Sequence, residues 1–350
     1  MREYLSALAG NTALRQRLGK ELEEGSFAHA YILDGPAGSG KSTMAMELVM
    51  ALACEHRGDS SHPLPCGVCP TCQKIAAGNC PDVIHVWREE DKNTMSVDVI
   101  RALRSDVITV PNDLSFKVYV VHEAHTMTVQ AQNALLLTLE EPPSFVLFLL
   151  LAEDAGSLLE TIRSRAPVLR MQPVADGEIE QYLLSPKRAN QLQNAAHALK
   201  DTAPEDFAAL IRMSNGCIGK AISLLSDAER VPMLEGRRFA THICRLLAER
   251  TRPDELLGAL LALGTKRADV AERLRLLNTA LRDLLLLGYH EDATLLFYVD
   301  ARNALELSSR FTAQRLLTYI NAVEETLTAL TANGNVRLLI FRLHGRLTQT

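Results

Sequence analysis

The chain has 350 residues, of which 47% are apolar and 23% charged, and its net charge is −5. That length can bury a large core divided among two or three domains. The acidic balance excludes whole-surface binding to nucleic acid or membrane, so any such contact must be local or shared with partner subunits.

The start, Met1-Arg2-Glu3-Tyr4-Leu5, has no apolar leader segment. The longest apolar run, Phe145 to Ala152, is far too short to span a bilayer. A cytoplasmic protein without membrane contact is expected. Its seven cysteines then serve metal, chemistry or packing rather than disulfides.

Ala30-Tyr31-Ile32-Leu33 reads as a short buried strand. Gly35-Pro36-Ala37-Gly38-Ser39-Gly40-Lys41-Ser42 follows and fits G-x-x-x-x-G-K-[ST], the P-loop. Glycines let the backbone approach phosphates, the lysine reaches the β/γ-phosphates and the serine hydroxyl ligates Mg²⁺. Met44, Ala45, Leu48, Val49 and Leu52 recur at helical spacing, so the phosphates would sit at a helix N-terminus. The candidate nucleotide-binding residues are Gly35, Gly38, Gly40, Lys41, Ser42 and Thr43.

A cysteine insert interrupts the pattern at residues 54–80. Cys66, Cys69 and Cys72 follow C-x-x-C-x-x-C spacing in a Gly/Pro-containing loop. One turn can present such thiolates to a single ion, and Zn²⁺ favours four tetrahedral N/S ligands. Spacing leaves the fourth ligand open between Cys54 and Cys80. Three cysteines before a Cys-Pro pair suggest an iron–sulfur cluster, but the last spacer is too long and no second set exists, so zinc ranks first. Cys217 and Cys244 are isolated and read as packing residues.

Further strands are expected at Val83–Val86, Val118–Val121, Phe145–Leu151 and Val168–Met171, with helices at Val97–Ser105 and Val129–Leu139 between them. This alternation predicts α/β architecture with a parallel sheet covered on both faces. After Pro173 the strand signals fade. Asn215-Gly216 and Gly219 mark a loop between two helices of a small module ending near Asp227. The remainder is Leu-rich and helical, as in Leu274–Leu287 and Val336–Leu347.

His29-Ala30-Tyr31 before the P-loop, the cysteine insert, the run Asn133-Ala134-Leu135-Leu136-Leu137-Thr138-Leu139-Glu140-Glu141-Pro142-Pro143, and Ser164-Arg165-Ala166 together resemble the bacterial DNA polymerase III clamp-loader subunits, the gamma/tau and delta-prime proteins. The resemblance covers residues 1–228 most strongly. It implies an AAA+ P-loop NTPase domain with a zinc-binding insert over 1–172, a small helical lid over 173–228 and an all-helical collar over 229–350. It also implies ATP/Mg²⁺, and structural zinc on Cys54, Cys66, Cys69 and Cys72, with Cys54 preferred to Cys80.

The family's Walker B aspartate falls on His122, a poor Mg²⁺ ligand because that ion demands oxygen donors. Glu123 remains as a residual acid. The sensor-2 arginine of gamma/tau falls on Gly219, as in delta-prime. Arg165 takes the place of the family's arginine finger, which acts on a neighbouring subunit's ATP. His122 and His125 do not form H-E-x-x-H, and His29 reads as structural.

The resemblance therefore implies a delta-prime-like subunit that binds ATP, hydrolyses it weakly and works with gamma/tau and delta subunits. Together they would load a sliding clamp on primed DNA. The rivals are an active gamma/tau-type motor and a different zinc-containing P-loop enzyme acting on nucleic acid.

Overall fold

A computed structural model describes residues 2–185, 190–249, 252–290 and 293–349. The chain forms two compact units, Met1–Tyr182 with Gly216–Lys220, and Leu183–Asn215 with Ala221–Thr350.

The first unit carries strands β1 (Ala30–Asp34), β2 (Val83–Val86), β3 (Lys117–Val121), β4 (Val146–Ala152) and β5 (Val168–Arg170). Its helices are α1 (Thr12–Glu24), α2 (Lys41–Ala53), α3 (Pro70–Ala76), α4 (Val97–Val107), α5 (Val129–Glu140) and α6 (Glu160–Arg163). The strands pair in the order β2-β3-β4-β1-β5, all parallel. This is the parallel α/β sheet that the alternation of apolar runs and helical patterns predicts.

β3 and β4 are buried throughout, which suits the apolar runs Val118–Val121 and Val146–Ala152, while Lys117 at the start of β3 is buried against Asp106 at 2.8 Å. Alternate residues serve opposite faces. Tyr31 and Leu33 of β1 pack with Leu18 and Leu22 of α1 and Met44 and Leu48 of α2. Ala30 and Ile32 pack with Ile100 and Leu103 of α4 and Leu135 and Leu139 of α5.

α7 (Asp176–Leu184) leads into α8 (Asn190–Thr202), α9 (Pro204–Met213) and α10 (Ile218–Ser223). Left-handed Asn215 and Gly216 make the turn between α9 and α10. Gly219, expected in that loop, instead lies in the first turn of α10.

The second unit is helical among its described residues. It adds α11 (Asp227–Glu249), α12 (Pro253–Leu261), α13 (Arg267–Leu287), α14 (Ala301–Ser308), α15 (Ala313–Thr331) and α16 (Val336–Thr348). Leu274, Leu277, Leu281 and Leu284 of α13 lie at the centre of its core. Gly236 lets α11 approach α13, since a Cβ there would stand 2.4 Å from Leu276 Cδ1.

The fully buried Asp283 accepts from the backbone N–H groups of Leu296, Phe297 and Tyr298 at 2.7–3.2 Å. It pins a segment that has no regular structure of its own. Asp283→Ala would orphan these donors and should cost about 2–4 kcal/mol. Urea unfolding should show the lowered midpoint.

Candidate functional site

β1 delivers the chain to the P-loop at the carboxyl edge of the sheet. Gly35 N–H donates to Ala152 O at 3.2 Å, so the loop begins where the β1–β4 pairing ends. Gly38 and Gly40 adopt left-handed backbone with φ of 75° and 96°, a conformation that favours glycine. Gly40 is the N-cap of α2 and offers no side chain, so no side chain caps the helix N–H groups.

Lys41 opens the helix and donates its Nζ to the carbonyls of Gly35 and Pro36. Burial pushes the Lys41 ammonium below its usual range, against the pull of Glu153 and Asp34. Ser39 Oγ is buried without a hydrogen-bond partner. These groups fit a phosphate chain. When bound, ATP would be held by the glycine backbone, Lys41, Ser42 and Thr43.

The loop also meets the start of α10. Gly219 N–H donates to Gly38 O at 2.8 Å. A Cβ on Gly219 would lie 2.8 Å from Gly38 Cα, and one on Gly38 would lie 2.8 Å from Lys220 N. In this arrangement position 219 has no room for any side chain, an arginine included.

The metal side of the site is built differently. His122, just past β3, is 6% exposed. Its Nε2 lies 2.9 Å from His85 Nδ1, and its ring stacks on Trp87 with centroids 3.5 Å apart. Burial, reinforced by His85 and opposed by Glu123, brings its pKa down to about 4. A neutral imidazole engaged in this way is no substitute for an oxygen ligand. Glu123 Oε2 accepts from Arg88 Nε at 2.6 Å, which engages the acid next to His122. Past β4, Glu153 N–H donates to His125 Nδ1 at 3.2 Å.

The cysteine insert folds beside α2. Cys54 caps the C-terminus of α2, Cys69 is the N-cap of α3, and Cys72 lies one turn into α3. Their sulfur atoms and that of Cys66 all lie within 4.8 Å of one another, with 4.0 Å between Cys66 and Cys72. Zn–S bonds of 2.3 Å in a tetrahedron put sulfurs about 3.8 Å apart, so the donor set fits a metal ion. Burial raises the Cys66 thiol, but N–H donors from Cys69 and Val68 outweigh it and bring it to about 6. Cys80 is buried outside this group, and Cys217 and Cys244 lie elsewhere.

Arg165 follows α6. Its Nη2 lies 2.7 Å from Glu140 Oε1, and its Nη1 donates to Thr161 O at 3.0 Å. Ala166, the residue after the arginine, is fully buried. His29 Nε2 lies 3.2 Å from Leu139 O, a structural contact.

Sequence reasoning missed Arg88, His85 and Trp87 as partners of the residues after β3. Nothing in their local pattern signals that role, because only the β2–β3 pairing brings them close.

Residues 10–175 match the family described as "DNA polymerase III, delta subunit". The chain is 31% identical to DNA polymerase III subunit tau of Bacillus subtilis over 221 residues, 63% of this chain and 37% of that protein. It is 34% identical to DNA polymerase III subunit delta' of Pseudomonas aeruginosa over 204 residues, 58% of this chain and 57% of that protein. It thus spans about a third to three fifths of the length of these curated relatives. A solved gamma subunit-related DNA polymerase III protein from Thermotoga maritima superposes at a TM-score of 0.45 and 16% identity, covering 95% of this chain and 98% of that one.

Two outcomes follow from the site geometry. Purified protein should carry one zinc per chain, lost on Cys→Ser change at 54, 66, 69 or 72 and kept on Cys80→Ser, as read by metal analysis. The second outcome concerns pH. His122 takes up protons near pH 6.5 when unfolded but only near 4 when folded. Its stabilising contribution is therefore complete above pH 6.5 and lost as pH falls toward 4, by roughly 3 kcal/mol at 1.36 kcal/mol per unit. His122→Phe should flatten that part of the stability profile. Trp87, the single tryptophan, should report the same event as a fluorescence change centred near pH 4 that the variant lacks.

Proposed function

We propose that this chain, a relative of the gamma/tau and delta-prime subunits of DNA polymerase III, acts as a delta-prime-type clamp-loader subunit. It binds ATP but contributes little hydrolysis of its own. It joins gamma/tau-type and delta-type subunits in the cytoplasm and helps them load a sliding clamp on primed DNA. In this reading the chain divides into an ATPase domain over 1–172, a lid over 173–228 and a collar over 229–350.

The observation that carries the reading is the contrast between the two sides of the nucleotide site. The phosphate side keeps Lys41, Ser42 and the left-handed glycines. The metal side has His122 stacked on Trp87, and Glu123 paired with Arg88. ATP supplies the phosphate charge and Mg²⁺ its usual neutralisation, but the residues present here can hold the first better than the second. Among the described residues, no helix is long and apolar enough to cross a membrane.

Arg165 is the residue assigned to act outside this chain's own site. A planar, permanently charged guanidinium suits the phosphate oxygens of a neighbour's nucleotide. The insert's four cysteines take a structural zinc, because four protein thiolates leave no open position for catalysis. The motor reading draws on the same Lys41 and Ser42, and hydrolysis measurements separate the two.

The isolated chain should bind ATP, lose that binding with Lys41→Ala, and hydrolyse ATP very slowly. Steady hydrolysis abolished by Lys41→Ala would favour the motor instead. Arg165→Ala should leave folding and ATP binding by this chain intact, yet slow clamp loading by the reconstituted complex. Trans arginines contribute about 10³–10⁵ in rate in comparable enzymes. Arg165→Lys should rescue poorly, since a point charge cannot reproduce the guanidinium fork.

A further inference from the structure

The acidic end of the Leu139-Glu140-Glu141-Pro142-Pro143 run has no task in the reading above, and its geometry supplies one. Glu140 is the last residue of α5. Proline cannot continue a helix and biases the residue before it away from helical backbone. Glu141 accordingly sits at φ −133°, ψ 66°. The two prolines thus end α5 at a defined residue, and that residue's carboxylate lies 2.7 Å from the guanidinium of Arg165.

The anchor is built on packed elements. Leu135 and Leu139 of α5 share one buried cluster with Ile162 of α6. Arg165 is held from both: Nη2 by Glu140 and Nη1 by the carbonyl of Thr161 at 3.0 Å. Each terminal nitrogen of a guanidinium carries two hydrogens. Nη1 also reaches Ser164 Oγ at 3.4 Å, so these contacts engage both hydrogens of Nη1 and one of Nη2, and the other Nη2 hydrogen and Nε–H are the donors left to meet phosphate oxygens. Both side chains are partly exposed, at 37% for Arg165 and 45% for Glu140. Solvent therefore screens the charge of the pair, and its main effect is on direction.

We infer that Glu140 is the positioning residue of Arg165: together with Thr161 O it fixes where the guanidinium lies, ready for a phosphate of a neighbouring subunit's nucleotide. This rests on the reading of Arg165 as an arginine finger acting in trans. The Glu-Pro-Pro run is then a device that stops α5 where its final carboxylate meets that arginine.

The test uses the complex reconstituted with gamma/tau-type and delta-type subunits, with kcat and KM for ATP measured separately. Glu140→Gln should lower kcat about two- to five-fold, the range expected of a partly exposed ion pair, with KM unchanged. The unfolding temperature of the chain should not move. Glu140→Asp should recover part of the loss. In an Arg165→Ala background, Glu140→Gln should change nothing further. Full kcat with Glu140→Gln, alongside a slowed Arg165→Ala, overturns the positioning role and leaves the finger standing. An equal loss in the Arg165→Ala background overturns it too, because Glu140 then acts through another group. An unmodified rate with Arg165→Ala overturns the finger and the inference together.

Discussion

The pairing of β1 with β4 on one side and β5 on the other is the constraint on which the candidate site depends. It buries Ile32 and Leu33 completely and brings the chain out at the carboxyl edge of the sheet. In open parallel sheets that edge is where ligands bind, because the loops leaving successive strands converge there. The Gly35 N–H to Ala152 O bond extends the ladder by one step into the P-loop. The loops after β3 and β4 open on the same edge, so His122, Glu123 and Glu153 all descend from one register. A slip of one residue in β1 would turn its core side chains to the other face and displace the loop.

The same edge accommodates two incompatible demands. Holding Mg²⁺ requires an ionised oxygen donor that is accessible to the ion. A neutral, buried imidazole stacked on an indole stabilises the strand end instead. With His122 nearly buried and its pKa near 4, the second demand has won. The Arg88–Glu123 pair adds to this outcome, although its exposed position makes it worth little to stability. Gly219 follows the same logic: its backbone contact with Gly38 uses the space in which an arginine side chain would have to start.

The cysteine insert answers a different problem. A loop of this length between α2 and β2 has little apolar material of its own. Three cysteines close together in sequence, plus one at the end of α2, can lock it to the sheet domain through one ion. Short spacing makes three of the sulfurs neighbours by local geometry alone. The fourth depends on where α2 ends, and Cys54 is its C-cap. Cys80 is close in sequence but stands just before β2, and the sheet carries it away from the cluster.

Local chemistry was enough to identify the P-loop, the five strands, the helices after β1, β2 and β3, and three of the four clustered thiols, Cys66, Cys69 and Cys72. Each is specified by residues adjacent in sequence: apolar runs for buried strands, helical spacing for α2 and α5, glycines for left-handed turns. Pairing between distant segments was not legible. The contact of His122 with His85 and Trp87 arises because β2 and β3 lie side by side, and that of Glu140 with Arg165 because α5 and α6 share one core. Gly219 looked like a loop residue because glycine weakens helices, yet it sits in α10, where close approach of two backbones outweighs propensity. The sequence by itself determined which chemistry the chain can offer. Only the tertiary structure decided which of those groups remain available, because burial and long-range partners set the ionisation and direction of a side chain and neither is encoded by its neighbours in sequence.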